Sequence, residues 1–454
     1  MQYISLRFSL QIFFYDLLWI FVKISIRIFE VRLECVYTDE LNAKWEESMS
    51  LKPETLPFPD HARVVMRTVR GAFSELLTSL GANPQDPQAI SRRFGLNKNL
   101  AWKISKIIQA DDLSLALQQM PGAAGMKIFL RSIERAGASP ILLQTTREAL
   151  DEYERLIKVH SGDRTTLEMM GSDLSPAGRQ QRDEYYRKLH FQGTSYIWGV
   201  QARVSMKVGI TGPSDEPGLL DFVSLSALID FRRLRPDVTW IMAVRRARND
   251  DGTDMNILIP EAVDPRYNGE EHAPLMADFC SQPLPELRRF RDQAGTNFEL
   301  VEGPVGNTGA ATCVVGTIQR RLPFYRTPSN TIGEHTAICD TPAELLVFDL
   351  FVHKSFTYAI PPEASLYSEL GASIPYPGRG RERNRLPLNE PLQDLGTGPL
   401  PLATPEVPRY SQMIQTLFDR MKWDPTEFHG FRMKIAYPAV PASVILRYNL
   451  PDAP

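Results

Sequence analysis

From about His61 to His160, apolar residues return every three or four positions, the spacing of amphipathic helices. Val65, Val69, Phe73, Leu76, Leu77 and Leu80 form one stripe, and Gly81 follows as a C-terminal stop. A second helix is predicted to restart near Pro87, with Asp86 placed to cap it. After Gly95-Leu96-Asn97 comes a third, with Leu100, Ala101, Ile104, Ile107 and Ile108 inward. Further helices are expected over GMKIFLRSIERAG, ended by Gly137, and over REALDEYERLIKVHSG, ended near Gly162.

The period changes after about Phe191. Tyr196, Trp198, Val200, Ala202 and Val204 alternate with their neighbours as a strand would, GPSDEPG turns, and LLDFVSLSALI returns as the partner of a hairpin. VTWIMAVRRA, NFELVEG, ATCVVGTIQR, EHTAICDTPAELLVFDLFV, FRMKIAYP and ASVILRYNL read as further strands. One helix interrupts them over RYSQMIQTLFDRMKW, with Met413, Ile414, Leu417, Phe418 and Met421 inward. Eight prolines between Gly371 and Pro408 predict an arm or loop without regular structure. The expected fold class is therefore α+β. Residues 49–165 form an all-α region, and residues 166–454 form a larger α+β domain with a mainly antiparallel sheet.

The first 48 residues stand apart. Between Arg7 and Lys23 run fifteen mostly apolar residues, interrupted by Gln11 and Asp16. That is short of the ~20 needed to cross a bilayer, and a membrane partner is not expected. Two readings stay open: a helix lying on a membrane surface, or a misplaced start with the chain opening at Met49. The abrupt change of composition favours the second.

The passage from Gln88 to Gln109 has the strongest pattern. Ser91 lies four residues before Gly95, Leu96 follows it, and Ala101 and Ile104 lie six and nine residues after it; Ile90 and Phe94 supply the first helix's buried edge. This spacing resembles the helix-turn-helix DNA-binding domain of bacterial transcription regulators, over some 22 of the 454 residues. Ser91 departs from it, since alanine is commonest at that place. The resemblance implies that Lys98 to Gln109 is a recognition helix and that double-stranded DNA is the partner. It also implies a homodimer, because such motifs usually reach adequate affinity in pairs.

Charge adds to that expectation. The chain carries 51 Lys and Arg against 54 Asp and Glu, a net −3, so any nucleic-acid binding must come from a local face. Between His61 and Ala110 there are eight basic residues against Glu75 and Asp86, a local +6. Lys98, Trp102 and Lys106 recur every four residues, with Asn99 and Lys103 beside them. Asn can read an adenine edge, and lysines can neutralise phosphate or read guanine. Arg92 and Arg93, on the preceding helix, would meet the DNA backbone. The plainer reading is a solvated helix face with Trp102 packed on a neighbour.

Other chemistry is sparse. No G-x-x-x-x-G-K-[ST], G-x-S-x-G or H-E-x-x-H occurs, and no motif calls for a cofactor. Four scattered cysteines argue against a disulfide scaffold or zinc ribbon and fit a reducing, cytoplasmic setting. His335 and Cys339 have ligand-like spacing but fall in a predicted strand, where an ordinary buried cysteine is the better reading. His353 reads as a satisfied core residue, and Asp340, Glu344 and Asp349 as carboxylates that only the fold can group. Two arginine groups could meet anions or simply be solvated: Arg379, Arg381, Arg383 and Arg385 in the arm, and Arg232, Arg233, Arg235, Arg245, Arg246 and Arg248. A transcription regulator whose larger domain senses a small-molecule effector or binds a partner is the expected function. An enzyme whose site lies where the sheet meets the proline-rich arm, and a scaffold protein, are the alternatives.

Overall fold

The computed structural model describes residues 56–172, 174, 176–245, 260–269, 271–292, 295–328, 331–370, 382–398 and 403–453. Its contacts divide the chain into two compact units, Met1–Arg179 and Gln180–Pro454. The first 48 residues, Arg246, Arg248, Arg379 and Arg381 lie outside the described residues.

Among the described residues, seven helices precede the division: α1 Phe58–Ser79, α2 Pro87–Phe94, α3 Lys98–Gln109, α4 Leu113–Gln119, α5 Ala123–Arg135, α6 Pro140–His160 and α7 Arg164–Ser172. The stripe of α1 is its buried face: Val65, Val69, Phe73, Leu76 and Leu77 are all in the core. Gly81, at φ +65°, lets Ala82 donate its N–H back to Leu77, which ends the helix as the sequence predicts. Phe73 meets Phe129 of α5 edge to face at 5.3 Å between centroids.

The helix α8, Pro176–Trp198, spans the division. It corrects the expectation of a strand through Tyr196 and Trp198. The alternation there is fortuitous: both side chains are exposed, and β1 begins only at Val200. Earlier in α8, RDEYYRKLH has no apolar stripe and so gives no periodic signal.

The second unit is built on strands. These are β1 Val200–Pro213, β2 Leu219–Arg233, β3 Trp240–Arg245, β4 Glu261–Ala262, β5 Leu287–Asp292, β6 Gly295–Leu300 and β7 Ala311–Pro323. They continue as β8 Ile332–Cys339, β9 Ala343–His353, β10 Glu363–Ser368, β11 Arg385–Leu386, β12 Gln393–Thr397, β13 Phe428–Ala436 and β14 Ala442–Asn449, with α9 Tyr410–Met421 before β13. A seven-stranded sheet runs β12-β13-β9-β1-β2-β7-β4. Among the described residues, only the central β1–β9 pair in it is parallel. A four-stranded sheet runs β11-β10-β14-β8 and a three-stranded one β3-β6-β5. With the helical first unit, this is an α+β protein.

The burial pattern explains the layers. Along β9, Val347 and Phe351 join Met413, Ile414, Leu417 and Phe418 of α9 in one core. Leu346, Phe348, Leu350 and Val352 join Ala337, Leu366, Val444 and Leu446 of the smaller sheet in another. A strand covered on both faces reads as an unbroken apolar run, which is why LLVFDLFV lacks alternation. The α9 side chains Met413, Ile414, Leu417 and Phe418 each contribute roughly 1.5–3 kcal/mol.

The proline-rich stretch also needs correcting. Among its described residues are two short strands, β11 pairing with β10 and β12 pairing with β13. Both are edge strands, where proline nearby costs few ladder bonds. EHTAICDTPAELLVFDLFVH likewise divides into β8 and β9, in different sheets. Among the described residues no helix is long and apolar enough to cross a membrane.

Candidate nucleic-acid interface

The α2–turn–α3 segment is fixed by its own side chains. Asp86 accepts from the N–H groups of Gln88 and Ala89, and Asn97 accepts from that of Asn99 at 2.8 Å. Gly95, at φ +63°, makes the turn. Ser91 accounts for its departure from alanine: its hydroxyl donates to the Leu96 carbonyl at 2.8 Å and ties the turn to α2. Ile90, Phe94, Leu96, Ala101 and Ile104 are all buried.

Helix α3 is anchored from several directions. The Ser105 hydroxyl donates to the Pro84 carbonyl at 2.9 Å, and Gln109 reaches the Gln85 carbonyl at 3.2 Å. Arg70 of α1 donates to the Ile108 carbonyl at 3.0 Å, near the negative end of α3. A side chain on the outer face of such a helix is presented from a rigid support.

That outer face carries Lys98, Asn99, Trp102 and Lys106 exposed, with Lys103 half-buried. Among the described residues no ion pair engages Lys98, Lys103 or Lys106. Trp102 is 43 % exposed, so it is not the packed residue of the plainer reading. Its ring lies 5.8 Å from the Lys106 ammonium. The arginines are less free. Arg93 donates to the Gly81 carbonyl at 3.1 Å, Arg92 to that of Gln88 at 3.4 Å, and Arg63 pairs with Asp60 at 2.6 Å. Arg92 and Arg93 remain exposed beside the lysines, but part of their donor capacity is spent locally.

The other sequence candidates fall elsewhere, in the second unit. Arg233 is buried and donates to the carbonyls of Val238 and Val301, which makes it a clamp between loops; Arg232 reaches Asn307 and Glu344, and Arg235 the Ile197 carbonyl. Arg385 pairs with Glu363 at 3.3 Å. Cys280, Cys313 and Cys339 are buried free thiols. His335 and Cys339 are both buried on β8. Burial pushes the His335 imidazole down to about 4, so it is neutral at physiological pH. Tyr448 at 3.2 Å and Thr211 at 3.4 Å are its polar neighbours.

The three carboxylates do not converge. Glu344 pairs with Arg232, and Asp340 contacts Thr341. Asp349 is fully buried beneath α9, held by Arg432 Nη2 at 2.7 Å and by the Tyr410 hydroxyl. Burial, then the neighbouring carboxylate, raises the Tyr410 phenol well above its ordinary range, so it stays protonated and donates. The sequence shows no sign of this group, because its members lie on β9, α9 and β13.

Two hydroxyl–imidazole–carboxylate chains also have no signature in the sequence. Ser355 lies 2.8 Å from His353 Nδ1, whose Nε2 is 3.2 Å from Glu427. Thr397 lies 2.7 Å from His429 Nδ1, whose Nε2 is 2.7 Å from Asp394. His353 is thus satisfied, as expected, though by surface partners. The Ser355 N–H also donates to His353 Nδ1 at 3.2 Å, which makes this nitrogen the acceptor. No protein-family model matches the chain, and neither does any curated protein.

Proposed function

We propose that the helical unit binds double-stranded DNA, with α3 as the helix that enters the major groove. One observation carries this reading: Lys98, Lys103 and Lys106 share one side of a rigidly held helix, with no acidic partner among the described residues. In the proposal Asn99 reads a base edge, Lys98 and Lys103 meet guanine or phosphate, and Trp102 packs against sugar or a thymine methyl. Arg92, Arg93 and Lys106 contact the backbone. The function is transcription regulation by a helix-turn-helix, with the sheet-rich unit as effector or partner domain and a homodimer as the DNA-bound species.

The test is DNA affinity across a salt series for the full chain and for Lys98/Lys103/Lys106→Ala. The expected result is a steep wild-type slope that the variant reduces by about two to three, with roughly tenfold weaker binding at physiological salt. Stoichiometry from the same titration should give two chains per duplex. Equal slopes for the two proteins would remove α3 from the interface, and one chain per duplex would remove the dimer.

A hydrolytic enzyme is the second reading, favoured by the Ser355–His353–Glu427 chain. His353 is placed to take the Ser355 proton through Nδ1, while Glu427 orients the ring through Nε2. A fluorophosphonate probe should then label wild type and leave Ser355→Ala and His353→Gln unlabelled. Absence of labelling on a folded wild-type chain would reject it.

A further inference from the structure

We propose that the cavity between α9 and the segment from Val263 to Phe279 binds a small apolar carboxylic acid, with its carboxylate on Arg420. The cavity lies within the sheet-rich unit and measures about 390 Å³, within the ~300–1,000 Å³ of small-molecule sites. Val263 and Met276 are buried walls, and Phe279 presents a ring backed by the Arg409 guanidinium at 4.6 Å.

The charges around it sort by whether they are already engaged. Arg266 is bound to Asp264 at 2.6 Å and to Asp278 at 3.1 Å, so its charge is already engaged and the trio keeps a net −1. Arg409 donates to Gln412 at 2.7 Å and to the Asp278 carbonyl at 2.5 Å. Asp419 accepts from Gln415 at 2.8 Å. Arg420 is the exception. Its nearest carboxylate oxygen, on Glu261, is 3.7 Å away, too far for a hydrogen bond, and Glu261 is shared with Arg320 at 3.6 Å. Its Nε is buried with no partner.

A guanidinium with unspent donors beside an apolar cavity suits a planar bidentate acceptor, and a carboxylate is the commonest such group. The acceptor would meet the Nη groups, since the side chain is 34 % exposed while its Nε lies out of reach of a molecule in the cavity. Asp419 on the rim disfavours a dianion such as a phosphate monoester, and the apolar walls disfavour a sugar acid. A monoanion on a hydrocarbon body of about one ring is left. Such a ligand would be the effector that the regulatory reading calls for. Its test needs no DNA, so the two proposals can fail separately.

Isothermal titration of the full chain with phenylacetate, and with phenylacetamide as the uncharged isostere, decides it. Saturable one-to-one binding of the acid is expected, about tenfold or more weaker for the amide and for Arg420→Gln. Because Arg420→Gln could perturb α9, Glu261→Gln gives the opposite arm: removing the competing carboxylate should tighten phenylacetate binding several-fold. Absence of binding at about 10 mM acid overturns the proposal. So does equal binding of acid and amide, or an affinity unchanged in both variants.

Discussion

Replacing Asp349 with alanine should destabilise the sheet-rich unit by about 3–5 kcal/mol, a large share of the stability of an ordinary domain. Asp349 is fully buried, and Arg432, at 6 % exposure, donates to it from Nε at 2.9 Å and from Nη2 at 2.7 Å. Removing the carboxylate leaves a guanidinium out of water, with the Ala403 carbonyl at 3.2 Å as its remaining hydrogen-bond acceptor among the described residues. The Tyr410 hydroxyl loses its acceptor at the same time. The loss should show as a lower urea midpoint. The double change Asp349→Leu/Arg432→Met should recover much of it, since an apolar pair of similar volume carries no uncompensated charge. If the double variant is as unstable as the two single variants combined, the ion pair is not the reason for the effect.

Acid should weaken the same unit through His335. The sign follows from linkage: the folded pKa, about 4, lies below the ordinary histidine value, so the unfolded chain binds the proton first. The stability due to a neutral His335 is complete above about pH 6.5. It is lost as pH falls from there to about 4, at roughly 1.4 kcal/mol per pH unit, or about 3 kcal/mol in all. Below 4 both states are protonated and the loss levels off. Burial is the cause, since the ring sits against Phe222 at 5.1 Å and Tyr448 at 5.6 Å between centroids. Urea unfolding at pH 7.5 and pH 4.5 should therefore show wild type losing roughly 2–3 kcal/mol more than His335→Gln. Identical losses in the two proteins would mean that His335 titrates normally.

Asp349 and His335 both have surroundings that the sequence left undefined, and the contrast with α3 is instructive. Ala101, Ile104 and Ile107 could be assigned inward, and Lys98, Asn99, Trp102 and Lys106 outward, because a helix turns side chains about its axis at a fixed rate. The caps at Asp86 and Asn97 and the left-handed Gly95 are equally local, each involving atoms within a few residues. In the same way the stripe of α9 was legible, since Met413, Ile414, Leu417, Phe418 and Met421 all face one core, whereas the burial of Tyr410 in that core was not. Legibility failed where a local period was absent or accidental. The polar stretch of α8 has no stripe, Tyr196 and Trp198 alternate without being buried, and β11 and β12 are too short to outweigh the prolines around them.

Sequence alone thus determined the helical region, the turn before α3, the basic face and the strand-rich character of the C-terminal part. These depend on spacing within one element. Tertiary structure alone decided that Asp349, Arg432 and Tyr410 meet, that His335 is dry, that Ser355 and Thr397 each end an imidazole–carboxylate chain, and that Arg420 borders a cavity. Each of these brings together residues from different strands, helices or loops, such as Asp349 with Arg432 83 positions later and Thr211 with His335 124 positions later. Burial and pairing at that range are set by which strands lie side by side and what covers them. No periodicity within a segment encodes that.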